Sequence, residues 1–141
     1  MSKTIDSPEK WNRAEERFID ERVFLFKKPD YVESVVWRKY MPSLAEVHAW
    51  GCARQAEKRT TKQVWTYEGA ATANVGDIRD IRTQHGDSVE VVHDPSDGQG
   101  DHHAHLQLRF GTDEQHIPQR RTDLKEAVLR LFTAVDRHSC P

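Results

Sequence analysis

Two stretches, Ser88–His93 (SVEVVH) and His103–Phe110 (HAHLQLRF), constrain the fold most. The first is rich in β-branched residues, and the second alternates apolar and polar side chains, the period-2 signature of a half-buried strand. The connection between them, from His93 to Asp101, is rich in Asp, Gly and Pro, short enough for a hairpin and too short to carry a crossover helix. On the second strand Ala104, Leu106, Leu108 and Phe110 are read as the core face. His103, His105, Gln107 and Arg109 share the other.

Helical periodicity appears elsewhere. Ser43 and Glu46 form a capping box that opens a helix over about Leu44 to Lys58, with Leu44, Val47, His48 and Gly51 on one side; Gly51 either permits close packing or ends the helix early. Ser7 followed by Pro8 predicts a helix over the segment containing Trp11, Ala14, Phe18 and Ile19. A closing amphipathic helix is expected from about Asp123 to Arg137, its stripe made of Leu124, Val128, Leu131, Phe132 and Val135. RVFLFKK, SVVWRKY and KQVWTYE read as further strands, and TANVGDIRDIRTQ as a short helix with Ile78 and Ile81 inward. Strands and helices mix without strict alternation. The expected fold is α+β: a single domain over 1–141, frayed at 1–6 and 139–141, with an antiparallel or mixed sheet of about four or five strands, helices packed on it and a C-terminal amphipathic helix.

Composition narrows function without fixing it. Acidic and basic residues are interspersed and the net charge is −2, which disfavours broad electrostatic binding to nucleic acid or to an anionic membrane but leaves a local patch open. Arg120-Arg121, the densest basic spot in the second half, reads as a solvated helix start. The first 20 residues carry five acids and no apolar stretch, so no secretory signal and no membrane span are expected. A reducing cytoplasm is the expected setting, with Cys52 and Cys140 as free thiols.

The hairpin holds four of the eight histidines. His103 and His105 stand two apart on one strand face, a spacing at which both imidazoles reach one ion or one reacting group. Two chemistries follow. In a hydrolase acting on phosphodiesters or RNA, the two histidines act as acid and base and Arg109 holds a phosphate. In a metal site, His93, Asp94, Asp101, His103 and His105 supply the ligands of a zinc-like divalent ion; otherwise no cofactor is expected. The spacing completes no H-E-x-x-H or C-x-x-C set, lacks the glutamate that follows H-x-H in cupins, and fails the calcium-loop pattern because Ala104 stands at its last ligand position. Without chemistry, the same residues are a turn between two strands with histidines facing water.

The order VWTYEGAATANVGDIRDI, VEVVHDP, HAHLQL, over about residues 64–108, resembles small uncharacterised bacterial proteins with a V-V-x-D-P…A-H hairpin. The resemblance implies a bacterial, cytoplasmic, accessory-type protein and no particular activity. The leading expectation is therefore a binding module acting through a protein partner, in a defence, toxin–antitoxin or secretion cassette; the histidine-dependent hydrolase or metal enzyme is the alternative.

Overall fold

A computed structural model describes residues 1–7, 9–62, 64–95 and 100–141. Pro8, Gln63 (in the expected strand KQVWTYE) and residues 96–99 lie outside the described residues. The fold is α+β, as expected. Its main sheet has six antiparallel strands in the order β6-β7-β4-β1-β5-β8: β1 Ser2–Ser7, β4 Val32–Val36, β5 Thr66–Thr72, β6 Ser88–His93, β7 His103–Arg109 and β8 Ala134–Arg137. A two-stranded ribbon joins β2 Trp11–Asn12 to β3 Arg17–Phe18. The helices are α1 Asp20–Val23, α2 Leu44–Lys58, α3 Val75–Arg79 and α4 Ile117–Leu131.

The expected hairpin forms, with Val91 opposite Leu106 and His93 opposite Ala104. Ala104, Leu106 and Leu108 are buried against Phe24, Ile78, Leu124, Val128 and Phe132 in the larger core. A smaller core, Val36, Val47 and Ala70, lies on the opposite face beneath α2, whose capping box at Ser43 and Glu46 is complete. Gly51 resolves in favour of close packing. A Cβ there would stand 2.4–2.6 Å from ring carbons of Tyr67, so the helix lies on the tyrosine ring itself.

Several expectations fail, each for a physical reason. Residues 1–6 do not fray: the Met1 amine donates to the Ala73 carbonyl at 3.0 Å, and residues 2–6 belong to β1, with Ile5 buried. The segment after Ser7 is not a helix. Trp11 pairs with Phe18 across the ribbon at a ring distance of 5.6 Å, and seven residues apart is also a helical repeat, which is why the pattern misled. RVFLFKK is not a strand either, because the amides of Leu25 and Phe26 donate to the Glu33 carboxylate at 2.6 and 3.2 Å instead of to a ladder. The last helix lies earlier than its stripe suggested: Pro118 sits in its first turn, and Val135 has left it to pair with Ala71 on β5.

Two of the buried charged groups among the described residues shape the frame. Arg120 is no solvated helix start; it grips Asp87 through Nε at 3.0 Å and Nη2 at 2.6 Å, with both side chains almost wholly buried. Hydrogen bonds from Arg120 draw the Asp87 carboxyl down to about 2. The second pair joins the halves of the sheet. β1 and β4 pair at Ser2 and Val36 alone. Lys3 bridges the gap, donating to Glu33 at 2.7 Å and to the Ser34 carbonyl at 3.1 Å. Burial pulls the Lys3 ammonium below its usual range, against the pull of Glu33. Burial alone would raise the Glu33 carboxyl, but Lys3 and the two backbone amides outweigh it and hold it low.

Two outcomes check this packing. Lys3→Met, which leaves Glu33 buried and uncompensated, is expected to cost about 3–5 kcal/mol in urea unfolding; a midpoint within error of the parent would refute the role given to the pair. Gly51→Ala, which on an exposed helix surface would stabilise by about 1 kcal/mol, is expected to lower the thermal midpoint because the added methyl strikes Tyr67. A higher midpoint would show that α2 and β5 have room between them.

Candidate functional site

Beyond Ser2 and Val36 the two middle strands no longer pair, and a cleft of about 230 Å³ opens between them beneath α2. Thr4 and Asp6 line its β1 side, Ser34 and Val36 its β4 side, and His102 and His103 one end. α2 supplies the opposite wall. Trp50, Arg54 and Lys58 recur every four residues, so they form one ridge of the helix, and Lys62 continues it through the turn in which its amide donates to the Lys58 carbonyl at 2.7 Å. Arg54 lies over the Trp50 ring at 5.0 Å. Neither Lys58 nor Lys62 has an ion-pair partner among the described residues, whereas Lys10 is already matched with Asp6 at 2.6 Å. Trp65 closes the far side.

His103 faces this cleft and is 5% exposed. Its Nδ1 lies 2.7 Å from the backbone carbonyl of Asp94, an acceptor only, so Nδ1 carries the proton in the neutral ring. Nε2 then offers its lone pair toward the Ser34 hydroxyl, 3.3 Å away. A hydroxyl donating to a histidine whose other nitrogen is anchored is the arrangement that activates a nucleophile. His102 precedes the strand and packs against the Trp50 ring at 5.1 Å. Burial, and then the neighbouring His103, lower its pKa. Buried polar atoms without a hydrogen-bond partner are rare in folded proteins. Of four such side-chain atoms among the described residues, two are in the walls of this cleft: Asp6 Oδ1 and His102 Nε2.

The other residues singled out from the sequence divide. His105 shares the face of His103, and its Nδ1 lies 3.5 Å from Asp94 Oδ2. His93 turns away: its Nε2 meets the Asp101 carbonyl at 2.6 Å and its ring stacks on Tyr40 at 4.4 Å. Arg109 is paired with Glu90 at 2.6 Å on the exposed end of the hairpin, apart from His103. No three of His93, Asp94, Asp101, His103 and His105 form a group whose ligand atoms all lie within 4.8 Å of one another among the described residues. Among the described residues the one group of three His, Cys, Asp or Glu side chains whose ligand atoms all lie within 4.8 Å of one another is Cys52, His138 and Cys140. The two cysteines, expected as free thiols, form a disulfide that ties the tail at 139–141 to α2.

His48, on the opposite side of α2 from Trp50, has both ring nitrogens occupied. Burial, with Asp136 nearby, pushes the Tyr67 phenol up, so it keeps its proton and donates to His48 Nδ1 at 2.8 Å. Nε2 then donates to Asp136 at 2.8 Å.

The basic ridge went unread in the sequence because its cations are separated by other residue types; only the spacing of four collects them. Ser34 carries no signal in the sequence, since pairing of β4 with β7 sets it opposite His105 and brings its hydroxyl diagonally to His103 Nε2. No protein-family model, curated protein or solved structure matches this chain. No helix among the described residues is long and apolar enough to cross a membrane.

His102 provides a pH test. Its folded pKa lies below the ordinary 6.5, so the stability tied to its neutral ring is present above that value and is lost as pH falls below it. Proton NMR is expected to give a His102 midpoint under 6.5, and His102→Phe to reduce the loss of stability between neutral and mildly acidic pH. A midpoint at or above 6.5 would contradict the burial seen here.

Proposed function

We propose that this chain is a small binding module whose cleft takes a nucleotide, free or at the end of a single strand. The carrying observation is the ridge Trp50–Arg54–Lys58–Lys62, which lines a concave site with an aromatic ring and with two lysines that lack ion-pair partners among the described residues. A phosphate is the ligand group that best answers clustered cations, and a base is the flat group that packs on indole. The overall charge of −2 does not oppose this, because the cations are concentrated on one ridge. The accessory role expected from the sequence fits a module of this kind.

One observation favours a second reading, in which the bound phosphodiester is also cleaved. Ser34 would attack phosphorus and give its proton to His103 Nε2, the leaving oxygen would take that proton, and water would later release the phosphoryl group from Ser34.

Fluorescence anisotropy with a labelled single-stranded RNA, in competition with adenosine monophosphate, tests binding. The double variant Lys58→Ala/Lys62→Ala is expected to weaken affinity about tenfold or more and to flatten its dependence on salt. Equal affinity for the parent and the double variant, or no binding at millimolar nucleotide, would sink the proposal. In the cleavage reading, Ser34→Ala keeps the affinity and loses product formation.

A further inference from the structure

We propose that Cys52, Cys140 and His138 form a second site, separate from the cleft: a zinc-class metal site that opens when the disulfide is reduced. Three observations converge on it. The ligand atoms of the three side chains lie within 4.8 Å of one another, which is the spread a single four-coordinate ion gathers with small side-chain movements. The His138 ring is held in place without its nitrogens being used: it stacks on His48 at 4.4 Å with the planes 6° apart, its backbone amide donates to the Glu68 carbonyl at 3.1 Å, and neither ring nitrogen has a hydrogen-bond partner among the described residues. His48 is itself fixed by Tyr67 and Asp136, so the platform under His138 is rigid. Finally, the group is partly exposed and borders a surface cleft lined by Leu44, Ala49, Asp136 and Pro141, which gives an ion access and leaves a fourth position for water.

The donor set decides the metal class. Two thiolates and one imidazole suit zinc or cobalt(II) and not calcium or magnesium, which take oxygen. The chemistry balances in two steps. An external dithiol gives two electrons and two protons to the Cys52–Cys140 bond, which opens to two thiols while the dithiol closes to its own disulfide. The divalent ion then displaces one proton from each thiol, releasing two protons, and His138 adds a neutral ring nitrogen. Oxidised, the corner is a covalent clamp between α2 and the chain's tail; reduced and loaded, the metal makes the same link.

Cobalt(II) titration of the full chain, stripped of metal by a chelator, tests this with and without a phosphine reductant. The reduced chain is expected to bind one cobalt ion with a thiolate-to-metal charge-transfer band in the near ultraviolet, and the oxidised chain to show no such band. Cys52→Ser and Cys140→Ser each diminish the band. His138→Ala is expected to weaken cobalt affinity about tenfold or more while the far-ultraviolet circular dichroism stays that of the parent. The proposal is overturned if the reduced chain shows no charge-transfer band, if His138→Ala binds as tightly as the parent, or if thiol titration of the air-oxidised chain finds both cysteines free. Nucleotide affinity of the Lys58/Lys62 variant is a separate readout, so either proposal can fail without the other.

Discussion

Lys3 and Glu33 decide what kind of sheet this is. Six strands joined by a full ladder would make a continuous surface, closed on the α2 side. Here the ladder is interrupted at its middle, and one ammonium takes the place of the missing hydrogen bonds, reaching both the carboxylate and the carbonyl of the next residue. Removing two charges from water is expensive, and such a pair rarely adds net stability over an apolar substitute. Its effect is geometric. The pair anchors β4 beside β1 without zipping the strands together, and its carboxylate also receives the amides of Leu25 and Phe26, so one side chain fixes the chain segment before β4 as well. The cleft exists because that gap is held and not closed.

Local pattern carried the fold a long way. The hairpin, the capped helix α2 and the inward faces of β7 and α4 follow from periodicity, because burial of an apolar face is what each of those elements has to achieve. The reading failed where a side chain replaced a backbone partner or where two periods coincide. Glu33 capping the amides of residues 25 and 26 is invisible to a scan for strands, and Trp11 with Phe18 satisfies the repeat of a helix and the pairing of a ribbon equally well. Arg120 looked like surface charge because nothing local announces that Asp87, far away in sequence, lies beneath it.

The candidate site was legible in one part only. The alternation of β7 placed His103 on the polar face, where the cleft lies. Its working neighbours come from elsewhere: Ser34 from the strand paired beside it, the carbonyl of Asp94 from the facing strand's end, and the cations from a helix on the other wall. Arg109, which alternation groups with His103, is drawn instead to Glu90 across the hairpin. Sharing a strand face is thus weaker than sharing a cleft.

α2 presents three ridges at a spacing of four residues. Val47, Gly51 and Gln55 rest on the sheet, Trp50, Arg54 and Lys58 look into the cleft, and His48 and Cys52 look toward the tail. Gly51 seats the helix on the ring of Tyr67 with no side chain between. A turn of the helix about its axis large enough to re-aim Cys52 would carry Lys58 through the same angle. The two edges of the molecule are therefore in phase: one bearing surface, a missing Cβ, sets the rotational zero for both.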